Sequence, residues 1–288
     1  MAGRSPEEQK VSNIRARGQP TEEPMTTAQI APDAARYAQY PSLRGRTVFI
    51  TGGATGIGAE LVAQFARQGA CVGFVDIQQA AAAELAAKLA AELDAAPWHR
   101  ACDVGDVPRL QAAIGACVAA LGPVDVLVNN AADDARTPLD ELTEQFWDEK
   151  FRVNLRPMVF AAQAVTPGMR AQRRGSIINL GSITWRAGFA NVAAYATAKA
   201  GIEGLTRSLA RDLGPDGIRV NCLIPGWTMT ERQLADWVTP EAEREIERAQ
   251  CLPGRVMPAD IARMALWLAA DDSRMCTAQT WVVDGGWT

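Results

Sequence analysis

Of the 288 residues only one is histidine, His99. A lone imidazole excludes any metal centre or proton relay that needs two. The six cysteines, at 71, 102, 117, 222, 251 and 276, contain no CxxC and no metal-ligand spacing. They read as core thiols of a reducing compartment, and no metal is expected. His99 lies in the predicted strand WHRACD and reads as structural. No apolar run reaches the roughly 18 residues that a membrane helix needs. The amino terminus, MAGRSPEEQK, mixes charges and lacks the apolar stretch of a signal peptide, so a cytoplasmic protein with no membrane partner is expected. The net charge of −4 is mild and no basic run is present, which argues against nucleic-acid binding.

Residues 1–42 form a region rich in Glu, Gln, Pro, Thr and Ala with few large apolar side chains. It can bury little and is expected to be a flexible extension. From 43 to 288 the chain alternates strand-length apolar runs with helical periodicity. Strands are predicted at 46–50, 71–75, 98–102, 124–129, 175–180, 218–224 and 280–283, with helices between. Seven strands so connected predict one α/β domain of Rossmann type, a doubly wound seven-stranded parallel sheet with helices on both faces and a ligand at the carboxyl ends of the strands. Gly52, Asp76, Asp103, Asn130, Ser182 and Pro225 all fall at or just past those ends.

The run RTVFI leads into TGGATGIG and then the amphipathic AELVAQFARQGA, that is, strand, tight turn, helix. Gly52, Gly56 and Gly58 allow the backbone to turn and a phosphate to approach, and the helix amino end supplies free N–H groups. A dinucleotide pyrophosphate fits there. The second strand ends on Asp76, eighteen residues past Gly58, where a carboxylate can accept from adenosine ribose hydroxyls and repel a 2′-phosphate, favouring NAD over NADP. Its alternative is a cap for the helix that follows. Further along, Tyr195 and Lys199 stand four apart in YATAK and share one helix face. A tyrosine has a pKa near 10, and a neighbouring cation favours the phenolate, which would move Tyr195 toward working pH.

These residues together resemble the short-chain dehydrogenase/reductase family over about 43–288. TGGATGIG is similar to its TGxxxGIG turn, CDV at 102–104 to its adenine-contacting step, NNAA at 129–132 to its NNAG strand end, and PGWTMT at 225–230 to the segment that closes over the nicotinamide. Asn154, Ser182, Tyr195 and Lys199 align with its catalytic tetrad. The resemblance narrows to bacterial aldose 1-dehydrogenases of the D-xylose and L-arabinose type through YPSLRGR, ARQGA, NLR, GSITW and AQCLPGR.

The resemblance implies that Ser182 donates to the oxygen of the reacting carbon, Tyr195 takes the hydroxyl proton, Lys199 assists it and bonds the nicotinamide ribose, and Asn154 holds a water on the proton path. For Asn154 a polar helix residue bonding backbone is the alternative. The cofactor site implied comprises Gly52, Thr55, Gly56, Ile57, Gly58, Asp76, Ile77, Asp103, Val104, Asn130, Ala131, Tyr195, Lys199, Pro225, Gly226, Thr228 and Thr230, with a helix N-cap as the other role for Thr230. Trp185 and Trp227 are candidates to stack on a sugar, and Asp133, Asp134, Arg136 and Asn191 to bond its hydroxyls; packing or solvated loops are their alternatives.

The function expected is NAD-dependent oxidation of an aldopyranose (the D-xylose, L-arabinose, L-fucose or D-galactose class) at C1 to the aldonolactone by a homotetramer. The rivals are a member of the same family acting on another secondary alcohol or a 3-oxoacyl group, and an idle NAD(H)-binding sensor or scaffold.

Overall fold

Seven apolar runs pair side by side in one all-parallel sheet: β1 (Thr47–Thr51), β2 (Cys71–Asp76), β3 (Trp98–Ala101), β4 (Val126–Asn129), β5 (Gly175–Leu180), β6 (Ile218–Pro225) and β7 (Thr280–Val283). The computed structural model describes residues 37–93 and 95–288. The compact unit treated below is Gln39–Thr288. Most of the extension expected over 1–42 lies outside the described residues. Each strand end falls within two residues of its sequence expectation.

The strand order is β3-β2-β1-β4-β5-β6-β7. It runs outward from β1 to β3, then restarts on the other side at β4, so the chain changes direction between β1 and β4. In such sheets that point opens a crevice at the carboxyl ends of the strands.

Strands buried on both faces need apolar side chains on both faces, and β1 is buried at all five positions. Among the described residues there are ten α-helices, the longer of which flank the sheet: α1 (Gly56–Arg67), α2 (Gln79–Leu93), α3 (Val107–Leu121), α4 (Glu144–Asn154), α5 (Arg156–Gln172), α6 (Thr184–Ala187), α7 (Ala193–Leu213), α8 (Glu231–Asp236), α9 (Pro240–Ala249) and α10 (Pro258–Ala269). On one face Val48 and Ile50 pack with Leu61, Phe65 and Leu266 of α1 and α10. On the other, Phe49, Leu127, Ile177 and Val220 stand in register across four strands and pack with Leu110, Val165 and Leu213 of α3, α5 and α7. The alternation Val48, Phe49, Ile50 is the pleat sending successive side chains to opposite layers.

Two local features matter for the site. Helices α4 and α5 are separated at Leu155, which leaves helical geometry at φ −127°, and Pro157 sits in the first turn of the next helix. The chain beyond β6 forms an excursion, Gly226–Met257, that carries the short helices α8 and α9 before α10 returns to the sheet.

Candidate active site

The turn after β1 is held by its backbone and by the side chains of Asn130 and Asp76. Gly52 sits at φ +68°, and its carbonyl and that of Thr51 accept from Asn130 Nδ2 at 2.7 and 3.1 Å. A Cβ at Gly58 would fall 1.7 Å from the Gly52 oxygen, so no other residue lets α1 start this close to the turn. Gly56 also has positive φ. Thr55 precedes α1 without capping it; its hydroxyl accepts from Gln78 Nε2 at 3.2 Å instead. The leading N–H groups of α1 are therefore left for a ligand. Thr51 Oγ1 accepts from both Asn130 N (3.0 Å) and Ala131 N (3.1 Å), tying the end of β4 to β1 across the crevice.

Asp76 ends β2 buried. One carboxylate oxygen accepts from Ala54 N and the other from Gln78 N, both at 2.9 Å. Gln78 precedes α2, so its bond to Asp76 closes a turn ahead of the helix and is not the capping alternative, and lone pairs remain for a hydroxyl. Ile77 beside it is 72 % exposed. Asp103 accepts from Gly105 N at 2.8 Å and pairs with Arg152 at 2.9 Å, next to buried Val104.

A pocket of about 190 Å³ opens at the carboxyl ends of β5 and β6. Ser182, two residues past β5, and Tyr195 and Lys199, one turn apart on α7, all line it and are all buried. Burial of the ring, with the negative charge of Asp133, pushes Tyr195 up to about 12, the Ser182 hydroxyl opposing. Lys199 Nζ donates to Leu180 O at 2.8 Å and lies 5.7 Å from the centre of the Tyr195 ring. Burial brings its own pKa down to about 8, with Cys222 opposing. Against the expectation that Lys199 draws Tyr195 toward working pH, burial sets the direction for the ring in the protein's own field.

Asn154, fully buried at the end of α4, does not reach the pocket. Its side chain clasps the backbone of Asp133, accepting from Asp133 N and donating to Asp133 O at 3.0 Å each, and also donates to Lys150 O at 2.9 Å. The structure gives the side chain the backbone-bonding role.

The loop after β4 divides the hydroxyl-binding candidates. Asp133 turns away from the pocket: it pairs with buried Lys150 and accepts from Ala135 N at 3.0 Å, and its carboxyl is held below the usual range by those bonds against the opposing effect of burial. Asp134 and Arg136 do line the pocket. Asn191 is exposed at φ +61° and contributes its carbonyl to Thr137 N. Trp185 also stays outside, 40 % exposed with the Arg186 guanidinium over its ring. The reason is local: α6 turns Trp185 outward, and left-handed Gly188 then swings Phe189 in.

Phe189 packs on Trp227 (ring centres 5.8 Å apart) and Trp287 (5.6 Å), making an aromatic wall. Thr228 is buried and donates to Gly226 O at 3.1 Å, and Thr230 caps α8 by accepting from Gln233 N at 3.2 Å, its capping alternative; both line the pocket with Pro225 and Gly226.

Sequence reasoning missed Phe189, Trp287 and Gln233. An aromatic directly after a glycine close to Ser182 was a usable signal for Phe189; Gln233 had none beyond standing three residues after the capping Thr230. Among the described residues no helix is long and apolar enough to cross a membrane.

A family model described as enoyl-(acyl carrier protein) reductase, of the short-chain alcohol dehydrogenase type, matches residues 52–288. The chain is similar to a D-xylose 1-dehydrogenase of Caulobacter vibrioides, 50% identical over 87% of this chain and 98% of that protein. It is also similar to a probable galactose dehydrogenase of Rhizobium meliloti, 48% identical over 86% of this chain and 97% of the relative. Among solved structures, a blue fluorescent protein from a metagenomic library, in complex with NADPH, superposes with a TM-score of 0.79 at 35% identity, covering 86% of this chain and 99% of its own. With the glycine turn, the parallel sheet and the Ser182–Tyr195–Lys199 pocket already in place, these matches show that the chain belongs to the short-chain dehydrogenase/reductase family.

Proposed function

We propose that the protein is an NAD-dependent sugar 1-dehydrogenase that moves hydride from C1 of an aldopyranose to NAD and leaves the aldonolactone. The observation that carries this reading is one pocket in which Ser182, Tyr195 and Lys199 face an aromatic wall of Phe189 and Trp227 and a polar rim of Asp134, Arg136 and Gln233. A pyranose offers apolar C–H faces and an edge of hydroxyls, the pattern such a lining complements. The relatives named for D-xylose and galactose are nearly half identical or better over almost their full length.

The turn after β1 fits a dinucleotide: α1 begins uncapped by a side chain, and the Gly58 approach leaves bare N–H groups where phosphate oxygens would sit. When bound, the oxidised nicotinamide supplies the hydride acceptor and a positive charge. Ser182 donates to the oxygen on C1, where negative charge develops. Tyr195 receives the hydroxyl proton. Burial raises the pKa of its phenol, and positive charge entering with the oxidised cofactor would favour the phenolate. Lys199, with one N–H spent on Leu180 O, keeps two donors for a ribose.

The preference for NAD rests on Asp76, since a relative of the same fold is solved with NADPH. NADH formation, followed by absorbance with NAD or NADP against D-xylose, L-arabinose, D-galactose, L-fucose, D-glucose and simple secondary alcohols, tests both parts. Sugar-dependent turnover is expected, about tenfold or more better with NAD, and Asp76→Ala should narrow that ratio about tenfold, the worth of one charged hydrogen bond. Turnover of secondary alcohols with silence on every sugar would overturn the substrate.

A further inference from the structure

The amide of Gln233 has a fixed orientation. Its Oε1 accepts from Trp227 Nε1 at 3.0 Å, and its Nε2 donates to Asp134 Oδ2 at 2.9 Å. An indole N–H can only donate and an ionised carboxylate can only accept, so neither bond survives exchange of the amide ends. Asp134 is itself anchored by an ion pair with Arg232. Gln233 lines the same pocket as Tyr195 and Ser182. After these two bonds its amide retains one N–H and one lone pair.

We infer that Gln233 is a specificity-determining residue that reads a sugar hydroxyl remote from C1, giving it one donor and one acceptor in a preset order. This inference rests on the sugar reading of the pocket. A hydroxyl is the ligand group that both donates and accepts at one oxygen, so it can engage both free valences of the amide. Preorientation matters because an amide free to rotate would lose part of the bond's worth in ordering. The same bonds span the site: Asp134 lies on the loop after β4, Trp227 follows β6, and Gln233 sits on α8, so the residue that reads the hydroxyl also joins both sides of the pocket mouth. A site built to bond a hydroxyl discriminates sharply against an analogue lacking it, because its own polar groups are then left unpaired.

The test crosses residue and hydroxyl. Initial rates are measured for the wild-type protein and Gln233→Met on a preferred aldose and on its 2-deoxy, 3-deoxy and 4-deoxy forms. In the wild type, removing one particular hydroxyl should lower kcat/KM by about tenfold or more. In Gln233→Met that same deletion should cost less than about threefold, the penalties at the other positions should persist, and the KM for NAD should stay put. A structural role would lower every sugar alike. Trp227→Phe keeps the aromatic wall, removes the orienting N–H, and should weaken discrimination at the same hydroxyl only; it decides the matter if the Gln233 variant does not fold. Identical penalties at every position in wild type and variant would overturn the inference while the sugar reading stands. No turnover of any sugar by the wild-type protein would instead overturn the reading on which it rests.

Discussion

The two sides of the crevice are built by different means. On the β1–β2 side the turn is held through its backbone: Gly52 and Gly58 come into near contact, and the Asp76 carboxylate and the Asn130 amide each grip two backbone groups. On the β5–β6 side the pocket mouth is held by side chains on separate excursions, Asp134 with Gln233, Gln233 with Trp227, Arg136 over the Trp237 ring. Backbone geometry tolerates almost no change of residue, whereas bonds between side chains can be rewritten singly. The first arrangement suits a ligand that stays constant, the second one that differs between relatives.

The largest effect that would sharpen this contrast is expected between the two sides, at Tyr195. Tyr195→Phe should lower turnover about 10²- to 10⁴-fold, the usual worth of a positioned acid–base group, with NADH binding by fluorescence unchanged. Turnover surviving in Tyr195→Phe would remove Tyr195 as the base, whereas no turnover in the wild type and a biological effect unchanged by Tyr195→Phe would favour an idle NAD(H)-binding protein. Gly58→Ala comes next. Its Cβ would lie 1.7 Å from Gly52 O and 2.8 Å from Asn130 Nδ2, so the turn must open. Cofactor affinity should fall on the order of tenfold or more, with a stability loss of about 1–3 kcal/mol. If Gly58→Ala bound NADH normally, the rigid-side description would be broken.

The same contrast accounts for what could be read from sequence. The seven strands, the glycine turn and Asp76 were legible because each is a local pattern: an apolar run, a fixed glycine spacing, an acid at a strand end. Tyr195 and Lys199 were legible for the same reason, one helix turn apart. The pocket mouth was not. Asp134 and Gln233 are 99 residues apart, and no local periodicity reports a bond across that distance. Trp185 and Phe189 were confused because both follow Ser182 as aromatics in one loop; only the outward turn of α6 and the left-handed Gly188 separate them. Asp133 looked like its neighbour Asp134, yet buried Lys150 claims it. For Tyr195 the sequence shows the neighbouring charge but not the burial of the ring, which raises its pKa.

Lys199 tests what that enclosure costs. Its folded pKa of about 8 lies below the usual 10.5, so between those values the unfolded chain binds the extra proton and stability rises with pH. Below about pH 8 the charged form carries a net penalty of about 3 kcal/mol, and removing the lysine leaves Leu180 O without its bond, a cost of about 1. Lys199→Met should therefore abolish turnover yet raise stability by about 2 kcal/mol at pH 7 in urea denaturation. The gain should fade as pH climbs from 8 to 10.5. A gain constant across that window would mean the lysine is not desolvated.

The smallest effect separates the two sides most cleanly. Arg136 lies 4.0 Å above the centre of the Trp237 ring, linking the loop after β4 to the residue that ends α8, on the far side of the Asp134–Gln233 bond. An exposed cation–π contact is worth about 0.5–1 kcal/mol, so Arg136→Ala should raise the sugar KM about two- to fivefold. Since no part of this link touches the glycine turn or Asp76, the KM for NAD should not move. Arg136→Lys keeps the charge but loses the flat guanidinium that stacks on the indole, and should fall between the two. If the sugar and NAD constants rose together in Arg136→Ala, the two sides would be one coupled unit, and the division between a backbone-built cofactor side and a side-chain-built substrate side would fail.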